Sequence, residues 1–102
     1  MKYRLTHAAR NDIRDIVRHI RDRQKSPQNA RLVADRLQQQ FARLVETPML
    51  GHVRSELRDD SALVVFVSGV LVIYDPFLKP LTILRVIHGA RDLGKVRPRL
   101  RP

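Results

Sequence analysis

Apolar residues first recur at helical spacing and then crowd into short, nearly continuous runs. After Thr6, the positions Ala9, Ile13, Ile16, Val17 and Ile20 form one stripe at intervals of three and four, which predicts an amphipathic helix with Thr6 as its N-cap. Ser26-Pro27 supplies a second N-cap and a proline suited to the first helical position. Ala30, Val33, Ala34, Leu37, Phe41, Leu44 and Val45 continue that helix, and Thr47-Pro48 stops it. Periodicity is lost from Glu46 to Ala62, where Pro48-Met49-Leu50-Gly51 and Asp59-Asp60-Ser61 carry turn chemistry around Arg54-Ser55-Glu56-Leu57-Arg58. This reads as an irregular connector that brings two arginines and Glu56 to a sheet edge.

Three strands follow. Leu63 to Val67 and Val70 to Tyr74 flank Ser68-Gly69, a pair suited to a tight hairpin turn. Asp75-Pro76 ends the second run, and Leu81 to Ile87 is apolar on both alternation sets, as expected of a strand buried on two faces. Tyr3-Arg4-Leu5 adds a short first strand. The predicted fold is α+β: a helical hairpin packed on one face of a small, mainly antiparallel β-sheet, with the other face, or the groove beside the last strand, left for function. One domain over residues 1–94 and a basic, mobile tail over residues 95–102 are expected.

The polar residues polarise the first helix sideways. At about 100° per residue, Arg10, Arg14, Arg18 and Arg21 line one flank while Asp12, Asp15 and Asp22 line the other. Either this is a solvated face, with Asp15 and Asp22 forming helical ion pairs near Arg18, or the arginines make a docking stripe. Leu32 falls outside the apolar stripe of the second helix.

Charge sharpens this picture. Lys and Arg number 20 against 10 Asp and Glu, a formal charge of +10, and 16 of the 20 are arginines. Such a surface seeks anions: nucleic acid, an acidic protein or a ribonucleoprotein. No run of about twenty apolar residues offers a membrane span. The opening lacks the apolar core of a signal peptide, and there is no cysteine. A cytoplasmic protein without membrane contact is expected.

Candidate chemistry is sparse. The chain has no H-E-x-x-H, no phosphate-binding glycine loop, no acidic cluster at metal-ligand spacing and no serine in a nucleophile elbow, so no metal or cofactor is expected. One constellation remains: Arg85, His88 and Arg91 within seven residues, with Arg54, Glu56 and Arg58 across the sheet. Arg85 shares its alternation set with Ile83 and Ile87, so its guanidinium must snorkel, pair with an acid or line a site for an anion. A histidine could move the proton of a ribose 2′-hydroxyl while arginines stabilise charge on the phosphate, enough in principle for metal-free RNA cleavage. The plainer reading pairs Arg85 and Arg91 with acids and turns His88 to backbone.

The ending Arg85-Val86-Ile87-His88-Gly89-Ala90-Arg91-Asp92-Leu93 resembles the ParE branch of the RelE/ParE toxins. So do Thr6-x-Ala8-Ala9-x-x-Asp12-Ile13, the Pro48-Met49-Leu50-Gly51 stop, Ser55-Glu56-Leu57-Arg58 and the Val70 to Tyr74 strand, in that order. The resemblance implies a bacterial type II toxin neutralised by a cognate antitoxin, in a toxin-antitoxin hetero-oligomer. RelE-like members cut mRNA on the ribosome with clustered basic residues and often a C-terminal tyrosine. Here the lysines are Lys2, Lys25, Lys79 and Lys95, and no aromatic follows Phe77.

The resemblance therefore implies a ParE-like toxin that inhibits DNA gyrase and replication by binding. The alternatives are a ribosome-dependent mRNA endonuclease using His88, Arg85 and Arg91, and a non-toxic basic nucleic-acid-binding module. The residues expected at the target or antitoxin contact are Arg85, His88, Arg91, Arg54 and Arg58, together with Arg10, Arg14, Arg18 and Arg21.

Overall fold

The computed structural model describes residues 3–88 and 93–101. Strand β1 (Tyr3–Leu5) leads into helix α1 (His7–Arg18), which widens into a π-helical turn at His19–Arg23 before helix α2 (Pro27–Glu46). A two-residue strand β2 (His52–Val53) precedes β3 (Leu63–Val67), β4 (Val70–Asp75) and β5 (Leu81–His88), and a short helix α3 (Leu93–Val96) follows. The strands form one sheet in the order β1-β5-β4-β3-β2, with β1 parallel to β5 and every other pairing antiparallel. The expected α+β fold is therefore present, with β2 as an added edge.

Both helices begin where side-chain chemistry favours it. Thr6 and Ser26 accept hydrogen bonds from the amides of Ala9 (3.0 Å) and Asn29 (3.3 Å), satisfying donors that the first turn leaves open. The two apolar stripes meet the sheet in one core: Ala9, Ile16 and Ile20 from α1 and its π turn, Leu37, Phe41 and Leu44 from α2, and Val72, Tyr74, Ile83 and Val86 from the strands. Leu32 lies outside it, 44% exposed.

A bulge in β5 decides how the helices are fastened. Tyr74 pairs with Ile83 but Ile73 pairs with Arg85, so Leu84 is the extra residue. Alternation is reset there: Ile83 belongs to the helix-side core, whereas Leu84 and Ile87 belong to a second cluster. The expectation that Ile83, Arg85 and Ile87 share a face fails for this reason. On the other edge of β5, three-residue β1 ends opposite Ile83, and Thr6 and α1 take up backbone groups of β5 from there on. The Thr6 amide donates to the Ile83 carbonyl (3.1 Å), the Thr6 hydroxyl donates to the Leu84 carbonyl (2.7 Å), and the Val86 amide donates to Asp12 Oδ2 (3.0 Å). The helix start thus continues the sheet edge where the strand stops.

The second face of the sheet is not left open, contrary to the sequence reading. Leu57, Ala62, Val64, Ile73, Leu84 and Ile87 are covered by Leu93, Val96 and Leu100. The expected mobile tail is therefore corrected over its described part. Residues 93–101 fold as α3 and a 3₁₀ turn (Arg97–Arg99), because Leu93, Val96 and Leu100 recur at intervals of three and four and put one apolar edge onto the sheet. Arg101 then clips the end by ion pairs to Asp59 and, at 2.8 Å, to the buried Asp75.

The connector is likewise anchored. Tyr74, with its ring buried, donates its hydroxyl proton to the Pro48 carbonyl (2.7 Å) and accepts from the Gly51 amide (2.8 Å). A Cβ on Gly51 would lie 2.8 Å from that hydroxyl and 2.9 Å from the Val64 carbonyl, so only glycine fits the approach. Among the described residues, every fully buried side-chain nitrogen or oxygen has a hydrogen-bond partner.

Candidate functional site

Arg85 sits at the bulge, and its guanidinium is committed. Nε and Nη2 donate to Asp12 Oδ2 and Oδ1 at 2.7 and 3.0 Å, a bidentate pair whose side chains are 17% and 16% exposed. Of the outcomes open to this residue, pairing with an acid is the one observed. The acid comes from the flank of α1 that sequence alone showed only as a charged edge. Asp12 accepts three hydrogen bonds at once, two from Arg85 and one from the Val86 amide, so the pair is a bolt between α1 and β5.

His88 ends β5 opposite Val70 and is exposed. The ring of His19, at the start of the π turn, meets it edge-on with centroids 6.2 Å apart. Arg91 lies outside the described residues, as do Gly89, Ala90 and Asp92. Arg54 and Arg58 do not converge on His88. They flank the 3₁₀ turn Ser55–Leu57 beyond β2, and β4 and β3 lie between β5 and β2. Arg54 is paired at 2.9 Å with Glu56, whose carboxyl is held below its usual range chiefly by that hydrogen bond. Arg58 follows in a left-handed conformation (φ 51°), exposed.

Arg10, Arg14, Arg18 and Arg21 are all exposed along α1 and its π turn. Asp22 pairs with its neighbour Arg21 at 2.8 Å, and Arg18 adds to the field on it; Asp15 forms no ion pair among the described residues. The helical pairs expected around Arg18 are thus replaced by an adjacent-residue pair. Among the described residues, Arg10, Arg14 and Arg18 carry no ion pair.

Two surface features had no forecast. Beside β1, a groove of roughly 620 Å³ opens between α1 and α2, floored by Tyr3, Leu5, Ile13, Leu37 and Phe41 and edged by Arg4 and Arg10. Tyr3 and Phe41 stack obliquely at its base, ring centroids 5.3 Å apart. At the opposite edge, Phe66 (67% exposed) lines a shallow groove with Leu50, Arg43 and Arg54, and Val53 and Met49 are also exposed. The alternation of Tyr3 and Leu5 with the Phe41 stripe was the available signal for the first. Among the described residues, no cluster of three potential metal ligands exists and no helix is long and apolar enough to cross a membrane.

No curated protein is significantly similar to the chain. The family model described as the ParE toxin of the type II toxin-antitoxin system, parDE, matches residues 3–93, which takes in the helical hairpin, the whole sheet and the bolt between them. The chain belongs to the ParE toxin family of type II toxin-antitoxin systems.

Proposed function

We propose that this toxin acts by binding, with DNA gyrase as target, and that a cognate antitoxin silences it in a hetero-oligomeric complex. Family membership implies the antitoxin. The observation that carries the binding mode is the commitment of Arg85: Nε and Nη2 of its guanidinium are held by Asp12, and the described partner of His88 is another imidazole. The cation best placed by sequence to stabilise a phosphorane next to His88 is therefore a structural fastener. What the surface offers instead is cationic and apolar contact area.

The antitoxin's seat on this reading is the groove beside β1. Its far edge is unpaired among the described strands, so an extended segment could add to the sheet while its apolar side chains fill the space over Tyr3 and Phe41. Arg4 and Arg10 at the rim match an acidic segment, and an acidic partner relieves the self-repulsion of a +10 chain. Induced expression in a bacterial host tests the whole reading. Filamentation with DNA-damage signalling, abolished by co-expressing the antitoxin, is expected; rapid translation arrest without damage signalling would point to the ribosome.

A further inference from the structure

The segment that closes the second face of the sheet changes what that face presents. Its inward residues are Leu93, Val96 and Leu100; its outward residues are Lys95, Arg97, Pro98 and Arg99, all exposed. From Leu93 to Arg101 there is no acidic residue. Arg101 alone is neutralised, by Asp59 and Asp75, and none of Lys95, Arg97 and Arg99 has an ion pair among the described residues. Arg58, exposed and without an ion pair among the described residues, follows the 3₁₀ turn against which α3 packs. The buried leucines and the Arg101 clip hold these cations in place before any partner arrives, which removes most of the ordering cost a free tail would incur on binding.

We infer that this strap is a contact surface for the phosphate backbone of duplex DNA. The α1 stripe is a poorer candidate, because Asp15 and Asp22 share that helix and Arg21 is already paired. A protein partner is disfavoured because interfaces are anchored by buried aromatic and aliphatic side chains, and the outer side of the strap offers only Pro98. Single-stranded nucleic acid is disfavoured because such sites rely on aromatic stacking platforms. Free, fixed cations without apolar anchors match sequence-independent phosphate contact. The inference deepens the gyrase reading, since gyrase works on duplex DNA, but it does not require gyrase and is tested without it.

The test is fluorescence anisotropy of a labelled 20-base-pair duplex with the full chain, titrated with salt. Three variants accompany it: Lys95→Gln/Arg97→Gln/Arg99→Gln, the conservative Arg97→Lys/Arg99→Lys, and Arg10→Gln/Arg14→Gln/Arg18→Gln. The glutamine strap variant keeps Leu93, Val96, Leu100 and Arg101, so its thermal midpoint should match the parent. It should bind at least about tenfold more weakly at low salt, with a slope of log K against log salt shallower by about 3, one unit for each lost contact. The lysine variant should keep the slope, and the α1 variant should keep most of the affinity. The inference is overturned by an unchanged slope in the glutamine strap variant, by an equal loss in the α1 variant, or by tighter binding of single-stranded DNA, duplex RNA or a polyglutamate peptide than of the duplex.

Discussion

Asp12 does more for this molecule than any cation around it. It accepts from Nε and Nη2 of Arg85 and from the Val86 amide beyond the end of β1, so its removal strands a largely buried guanidinium and a backbone donor together. Asp12→Ala should cost about 3 kcal/mol in urea unfolding and Arg85→Ala about 2 kcal/mol, since breaking one side of a largely buried pair costs more than the pair contributes. The double variant should cost less than the sum, as expected for side chains in contact. Gly51→Ala should be destabilising by about 2 kcal/mol, because the new methyl meets the Tyr74 ring and the Val64 carbonyl at distances neither can relieve. Sequence showed Asp12 only as one charge on a helix flank. A strand residue and a helix residue 73 positions apart share no local pattern, and the bulge that brings them together hides in an unbroken apolar run.

At the scale of elements, the helices and the three long strands were legible because each repeats its pattern over several residues. β2 was not: two exposed residues are too short to show a period, and His52–Val53 exists as a strand only because β3 offers it an edge. The C-terminal strap was readable in principle. Leu93, Val96 and Leu100 stand at helical spacing, but the cations and proline between them look like a solvated terminus. Leu100→Ala should therefore destabilise the whole domain by about 2–4 kcal/mol in urea unfolding, as a core deletion does, whereas a change in a free tail would cost nothing.

The strap also has a pH dependence of known sign. The hydrogen bond from Arg101 holds the Asp59 carboxyl below its usual range, with the Ser61 and Ala62 amides helping. A carboxyl lowered in the folded state stabilises it above the unfolded value, about 4, and that contribution is lost as pH falls through the folded value. Protection of the strap's amides against hydrogen exchange should fall below about pH 4 and be insensitive to pH between 5 and 8. In Asp59→Asn the acid-induced loss should be reduced.

Over the whole molecule, acids and bases are divided by task. Asp12, Asp59 and Asp75 fasten distant segments, and Asp22 and Glu56 pair locally, while most of the described arginines face solvent without an ion pair among the described residues. The sequence conveyed the excess charge and the family resemblance, and the family model bears out the latter over residues 3–93. It could not convey that Arg85 and His88 fail to form one site with Arg54 and Arg58, because that depends on strand order rather than on spacing. A toxin built this way should act through its surface. The decisive measurement adds the purified chain to a DNA gyrase supercoiling reaction and, in parallel, to a translating extract. Blocked supercoiling with intact mRNA, reversed by the cognate antitoxin, is the predicted result. Cleaved mRNA with gyrase unaffected would contradict the account.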